Sequence, residues 1–360
     1  MATNLNRIRK LYVSAATAES TYGTAIATDS MLKVDAGVIT NREVGVVSNN
    51  DLVGGTEEAT EQFLTNESVA LPIAQARVKP HTLAMIAAYG IGNNTVTTPG
   101  GATLSRKIQI DTSGAPNTTL PSFTAEGILK SGVNQVYPGM FVDGFNFSVN
   151  RGANQFASLT STCYGCGTVS SGSDTSQTEK DENPISGSTA GIAIGTGVYD
   201  GTTSDTNDDV SIFDIAGASD ITGQVTSFEY AYQNNVDRDF LYQVGGEKIY
   251  NIAEKTARSQ TVTITKLWQD DTYRTALYNQ TEYSLQARFK GAAIEAGINY
   301  GCCFTIPKAV LQSADVSDDG GRIVETLTLL PLWDATTGAT PNPFGSVIID
   351  VFNKQTAYAG

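Results

Sequence analysis

The sequence predicts a mainly β fold: two similar β-sandwich or barrel units in one chain, each with a short flanking α-helix and a long loop. Three observations lead there. Apolar and polar residues alternate at the period of two that a half-buried strand requires, as in Phe145, Phe147 and Val149 against Asn146, Ser148 and Asn150. Composition is the second: 17% of the 360 residues are charged and 35 are Gly, which suits a turn-rich chain or one that covers itself with its own copies. The third is self-similarity. Val53-Gly54-Gly55, a polar stretch, 69–78 and 81–90 recur as Val244-Gly245-Gly246, a polar stretch, 260–268 and 272–281, at a constant offset of 191 residues. Such a repeat makes the folding unit roughly 130 residues, an ordinary domain size.

Residues 1–34 read as a lead-in with one short strand near 10–15. The first unit, 35–167, opens with a polar loop over 41–68, longer than a connection needs, and continues as a strand over 69–78. Pro80 stands where a helix starts, Leu83, Ile86 and Ala87 share one face of it, and Gly90 is the stop signal. Strands follow at 122–130 and 141–150; Arg151-Gly152-Ala153-Asn154 turns the chain, and 155–163 returns as a hairpin. Residues 168–209, rich in Ser, Thr, Gly and Asp, read as a polar linker or surface excursion.

The second unit, 210–334, repeats this order. Strand 225–233 sets Phe228, Tyr230 and Tyr232 on one side, a long loop spans 234–257, and strand 259–268 follows. Asp270 or Asp271 caps a helix carrying Tyr273, Leu277 and Tyr278. Strands at 283–290, 300–311 and 321–333 close the unit. Here the offset falls to 162, matching Gly139 with Gly301, because the first unit carries a Thr- and Gly-rich insertion between Ile91 and Thr119. Residues 335–360 form a tail with an added strand near 346–352. One short helix cannot cover a large sheet, so the strands of each unit must curl on themselves.

The chemistry-bearing residues point away from catalysis. A net charge of −14 argues against a surface that grips nucleic acid, which needs clustered Lys and Arg. No apolar run reaches the roughly 18 residues of a membrane span. Residues 1–10 lack the apolar region of a signal peptide. His81 is the single histidine and sits at a helix start, where a local polar contact is expected. Cys163, Cys166, Cys302 and Cys303 read as buried reduced thiols, since adjacent strand residues such as Cys302 and Cys303 face opposite sides and cannot share one zinc ion. Gly191-Ile-Ala-Ile-Gly195-Thr-Gly197 lacks the strand and helix setting of a dinucleotide site and reads as flexible linker. Asp315-Val-Ser317-Asp-Asp319-Gly320 resembles the first half of a calcium loop, but position twelve is Thr326 rather than Glu, and a hairpin turn is required there. No catalytic, cofactor-binding or metal-binding residue is assigned.

Six segments carry a resemblance. Glu19-Ser-Thr-Tyr-Gly-Thr24, Ser122-Phe-Thr-Ala-Glu126, Tyr137-Pro-Gly-Met-Phe-Val-Asp-Gly-Phe-Asn-Phe147, Thr162-Cys-Tyr-Gly165, Ser227-Phe-Glu-Tyr-Ala-Tyr-Gln-Asn-Asn235 and Trp268-Gln-Asp-Asp271 together resemble the major tail tube proteins of long-tailed, siphovirus-like bacteriophages, over most of residues 10–335. The resemblance implies a structural virion protein, not an enzyme, made in the host cytoplasm and placed in the tail. It implies self-assembly into stacked rings around a channel for DNA delivery. Its partners would be its own copies, the tape measure, terminator and tip proteins, and DNA passing without specific binding; no cofactor is implied. A ring of six units needs three two-unit chains, so a trimer with pseudo-sixfold symmetry is expected over a hexamer. Gly54, Gly55, Glu57, Glu58 and Glu61 in one long loop, and Gly245, Gly246 and Glu247 in the other, are the candidate inter-subunit contacts. Asp143, Glu229 and Glu325 are the candidate lumen carboxylates, since a negative lining repels DNA where a basic one would bind it. The competing reading is a β-rich glycan-binding or glycan-cleaving module. It would need exposed aromatic platforms and two carboxylates about 5–9 Å apart, and only Trp268 and Trp333 supply indoles.

Overall fold

The computed structural model describes residues 10–35, 41–49, 61–101, 103–114, 120–130, 133–152, 155–167, 169–172, 177–180, 182–201, 205–236, 257–337 and 341–359. It is mainly β and antiparallel, as the alternation predicts. The lead-in supplies β1 (Lys10–Val13) and β2 (Ser30–Leu32). What read as the first long loop is largely a hairpin: β3 (Asn41–Asn49) pairs with the start of β4 (Glu61–Gln75). The polar residues of these arms are exposed, so no apolar period marks them as strands.

Helix α1 (Pro80–Ile91) begins where Pro80 predicts but runs past Gly90 and ends at Gly92, whose φ of 90° is the left-handed cap. The insertion holds β5 (Asn94–Thr97), a 3-10 turn at Pro99–Gly101 and β6 (Arg106–Asp111). Next come β7 (Phe123–Lys130), β8 (Val133–Asn150) and β9 (Ser158–Gly165), with Phe145, Phe147 and Val149 buried as the alternation requires.

The polar tract is less of a linker than its composition suggests. It contributes β10 (Ser170–Ser171) and β11 (Ala190–Gly195), and β11 lies buried against a strand of the second half. The glycines that suggested flexibility permit close approach instead: a Cβ on Gly191 would stand 1.8 Å from the Val210 carbonyl oxygen. After β12 (Ser219–Asp220) come β13 (Val225–Gln233), β14 (Ser259–Leu267), α2 (Thr272–Tyr278) and β15 (Glu282–Glu295). β16 (Ile298–Asp319), β17 (Arg322–Pro331) and β18 (Ile348–Asn353) complete the chain. The β16–β17 turn is at Gly320-Gly321, with φ of 61° and 84°, where the sequence required a hairpin.

Eight strands form one antiparallel ribbon in the order β3–β4–β9–β8–β13–β14–β17–β16. The N-terminal halves of β8 and β16 leave this ribbon for other partners. β8 there joins β7, which joins β1, and β1 in turn joins β2. β16 joins β15 on one side and β18 on the other, extending through β6 to β5. The C-terminal tail strand is thus held between the second half and the insertion of the first.

Two ladders carry the same irregularities. In β4–β9–β8, Leu71 faces Cys163, Cys163 faces Val142, and Asp143 is an extra residue before Gly144 faces Thr162. In β14–β17–β16, Val262 faces Leu329, Leu329 faces Leu311, and Gln312 is extra before Ser313 faces Thr328. Further along, Phe123 faces Met140 and Ala125 faces Tyr137, skipping Pro138-Gly139; Tyr283 faces Ala309 and Leu285 faces Ile306, skipping Pro307-Lys308. These bulges correct one part of the sequence reading. Position for position, Gly139 corresponds to Lys308, not Gly301, which faces Lys290. A shared glycine is a weaker marker of register than a proline at a bulge, because proline lacks the N–H that a regular ladder uses.

The core lies on one side of the ribbon. Phe147 meets the rings of Phe228, Phe289 and Phe304 at centroid distances of 6.5, 5.4 and 4.8 Å, joining β8 to β13, β15 and β16. Helix α1 is buried throughout against this core, whereas α2 buries only Ala276 completely.

Candidate assembly edges and polar sheet face

The other side of the ribbon is polar. Following the ladders across it, one row runs Ser158, Ser148, Glu229, Thr263, Thr328 and Ser313, the next runs Asn150, Ser227, Thr265, Thr326 and Asp315, and Thr160 lies beside Asn146. Each is half-buried or exposed. Hydroxyls and amides pair across strands here: Ser148 Oγ and Ser158 Oγ are 2.8 Å apart, and Asn146 Nδ2 donates to Glu229 Oε1 at 2.5 Å. Such a face is wettable yet nearly uncharged. It offers hydrogen bonds to water and no cluster of cations to a polyanion.

The ribbon has two edges. Among the described residues, β3 pairs only with β4, and the segment of β16 beyond Gln312 pairs only with β17. Both edges carry uncovered apolar side chains. Val44, Val46, Val47, Phe63 and Leu64 are exposed on the β3–β4 hairpin, and Val316 and Ile323 on the β16–β17 hairpin. Unpaired strand edges flanked by bare apolar groups are the usual seeds of strand addition.

The sequence-predicted positions fall as follows. Glu61 opens β4 opposite Asn49 and is exposed. Gly54, Gly55, Glu57, Glu58, Gly245, Gly246 and Glu247 lie outside the described residues. Glu229 is on the polar face. Asp143 is the extra residue of a bulge rather than a regular strand position, and its Oδ1 accepts from the Val236 N–H at 2.9 Å. Glu325 does not belong with them. It shares its side of β17 with Leu327 and Leu329, has no exposed surface, and pairs with Lys266 Nζ at 3.4 Å beneath α2. An enclosed carboxylate of this kind cannot line an open channel.

Sequence reasoning missed the groups that lock the fold. Glu19 is buried and its carboxylate accepts from the Gly139 N–H at 2.9 and 3.1 Å, Ser122 Oγ at 2.8 Å, Thr124 Oγ1 at 2.7 Å and the Gly23 N–H at 3.1 Å. Three of the segments that carried the resemblance therefore meet at one carboxylate. The signal available was their wording; their convergence needs the fold.

A second buried cluster caps α1. Lys79 at the N-cap makes no side-chain cap, and Glu182, 101 residues on, accepts from the His81 N–H at 2.6 Å. Tyr358 shares a hydrogen bond with His81 Nδ1 at 2.8 Å, and Gln355 Nε2 donates to Glu182 at 3.2 Å, so the C-terminal segment closes over the helix start. Burial pushes the Glu182 carboxyl up to about 7 and the His81 imidazole down to about 4. Lys79, Lys180 and Asp29 are the other charges acting on these groups. The signs oppose. A raised Glu182 loses stability as pH rises from its unfolded value near 4.5 through about 7, and a lowered His81 loses it as pH falls from 6.5 through about 4. Glu182→Gln should therefore gain on the wild type as pH rises from 5 to 7.5, by roughly 3 kcal/mol at the top. Urea unfolding across that range measures it, and a difference independent of pH would refute it.

The thiols are buried and reduced, and burial pushes Cys163 and Cys303 up to about 12, well away from a reactive thiolate. Among the described residues, no group of three or more His, Cys, Asp or Glu is placed to hold a metal ion. A cleft of about 230 Å³ between Arg151, Thr226 and Phe289 has no carboxylate among its described lining residues.

Comparison with known proteins bears on this arrangement directly. A family model described as phage tail tube protein matches residues 10–329. A search of curated proteins finds no match. The chain belongs to the phage tail tube protein family and is a structural component of the virion tail.

Proposed function

We propose that this chain is a two-unit tail tube subunit, that three copies close into a ring with pseudo-sixfold symmetry, and that stacked rings form the channel through which DNA passes. The observation that carries this reading is the recurrence of both bulges in the β4–β9–β8–β7 and β14–β17–β16–β15 ladders, with a proline at Pro138 and Pro307. Equivalent ladders give each chain two equivalent places in a ring. Heterologous contacts between such units close if the rotation divides a full turn, and stacked rings then extend without limit.

The polar ribbon face suits the channel wall. Along it, the charged positions on the described strands include Glu229, Asp315 and Asp319, with Arg322 at the hairpin tip. A wall of hydroxyls with sparse carboxylates leaves DNA hydrated and repels its phosphates within about 8–10 Å. Segments 41–68 and 234–257, read from the sequence as long loops, supply contacts between subunits or between stacked rings, and the tape measure, terminator and tip proteins meet the finished tube at its bore and ends. Electron microscopy of the purified protein tests the reading, with three chains expected in each ring-shaped particle. Six chains per ring would overturn the trimer and leave the tube; isolated monomers at assembly concentrations would overturn both.

A further inference from the structure

The sheet that holds the tail strand has one apolar side and one polar side. Phe289, Cys302, Val351 and Ile108 form a row across β15, β16, β18 and β6 and belong to the core. The neighbouring row, Arg288, Cys303, Asp350 and Gln109, faces the other way. A piece of the polar tract, residues 205–214, crosses this second side. Asp205 pairs with Lys107 Nζ of β6 at 3.2 Å. Asn207 takes both backbone groups of Asn299 at the head of β16, its Nδ2 donating at 2.8 Å and its Oδ1 accepting at 2.7 Å. The Asp208 carbonyl accepts from Lys290 Nζ of β15. Asp214 Oδ2 accepts from Arg288 Nη2 at 2.5 Å and from Gln286 Nε2 at 3.0 Å. Thr206, Asn207 and Val210 are parted from Arg288, Cys303 and Phe352 by a gap of about 10 Å³, room for one water at most.

We infer that residues 205–214 are a releasable strap, which opens as a local unit while the ribbon stays folded, with the Asp214–Arg288 pair as its pin. Its own burial supports this. Asn207 is the one buried residue of the segment, and Val210, Ile212 and Phe213 stay half-buried or exposed. A segment held by polar contacts, with little apolar surface to lose, belongs to the low-stability end of a fold. The seat supports it too. Arg288 and Asp350 are buried beneath the strap, and opening hands them to water, which solvates both charges. Opening a lid over an apolar face would carry the opposite cost. Closed, the strap ties β6 of the first half's insertion to β15 of the second half across the tail strand β18. Open, it gives up that tie and leaves the ladders of β18 in place.

The native cysteines test this in the full-length chain. Cys303 lies beneath the strap, whereas the side chains of Cys302 and Cys163 belong to the core. A buried thiol reacts only through an opening that uncovers it. With iodoacetamide under native conditions at pH 8, Cys303 should alkylate at least tenfold faster than Cys302 and Cys163, as read by fragmentation of the labelled peptides. Asp214→Asn removes the charge from the pin and should raise the Cys303 rate at least a further tenfold, leaving the other two rates unchanged. The wild-type comparison stands even where the variant does not fold. Three thiols that react at one rate in the wild type mean that Cys303 is reached only by global unfolding, and overturn the strap. A folded Asp214→Asn chain with the wild-type Cys303 rate overturns the pin.

Discussion

Phe147→Ala should destabilise the protein by about 3 to 5 kcal/mol, the range for removing a fully buried aromatic side chain. Phe147 has no exposed surface and its ring touches Phe228, Phe289 and Phe304. Those rings belong to β13, β15 and β16, all in the second half, whereas Phe147 belongs to the first. The loss is therefore felt at the joint between halves, where β13 lies against β8. Urea unfolding followed by both tryptophan fluorescence and far-ultraviolet circular dichroism should give a lower midpoint with an unchanged slope. The tryptophans, Trp268 and Trp333, both report on the second half. Coincident loss by the two probes means that the halves unfold together. If fluorescence is unmoved while the dichroism shifts, the halves are independent and the cluster does not join them.

Much of the ribbon was legible because its strands are half-buried. Phe228, Tyr230 and Tyr232 alternate cleanly, and β13 has the limits the alternation predicts, 225–233. Helix α1 began on its proline. It outran its expected end because Gly90 serves packing: a Cβ there would come within 3.3 Å of Val142 Cγ1, so the helix approaches the sheet closely and stops only at Gly92. Strands such as β6 were not legible. Lys107 and Asp111 are buried polar residues that break any apolar period, and Ile108 and Ile110 face β18, some 240 residues away in sequence. The burial of Glu325 was in the sequence after all. It shares parity with Leu327 and Leu329, and the alternation that located the strand also assigned its face. Of the candidate loop positions, only Glu61 lies on described structure; the open strand edges of β3 and β16 emerged from pairing, which a single sequence does not encode locally.

Lys266→Met should cost about 3 to 5 kcal/mol at pH 7.5, the range for breaking a buried ion pair by removing one partner. Lys266 and Glu325 face each other across β14 and β17, and their side chains are 4% and 0% exposed. Tyr273 of α2 lies over the ammonium, 5.0 Å from Nζ to the ring centroid. The cover is thin, one helix of seven residues, so the pair is enclosed without being deep. Burial already holds the Glu325 carboxyl above its ordinary range, with Lys266 the main opposing influence. Without the ammonium that pKa rises further. A raised folded pKa means stability lost with rising pH, so the variant should approach the wild type near pH 5 and fall away from it toward pH 8. The double variant Lys266→Met, Glu325→Leu removes both charges and should stand within about 1 kcal/mol of the wild type at every pH, because two apolar residues across a ladder need no compensation. Thermal or urea unfolding of the three proteins between pH 5 and 8 separates the cases. A single variant as stable as the double one at pH 8 would mean that water reaches Glu325, and would return that carboxylate to the wetted surface of the subunit.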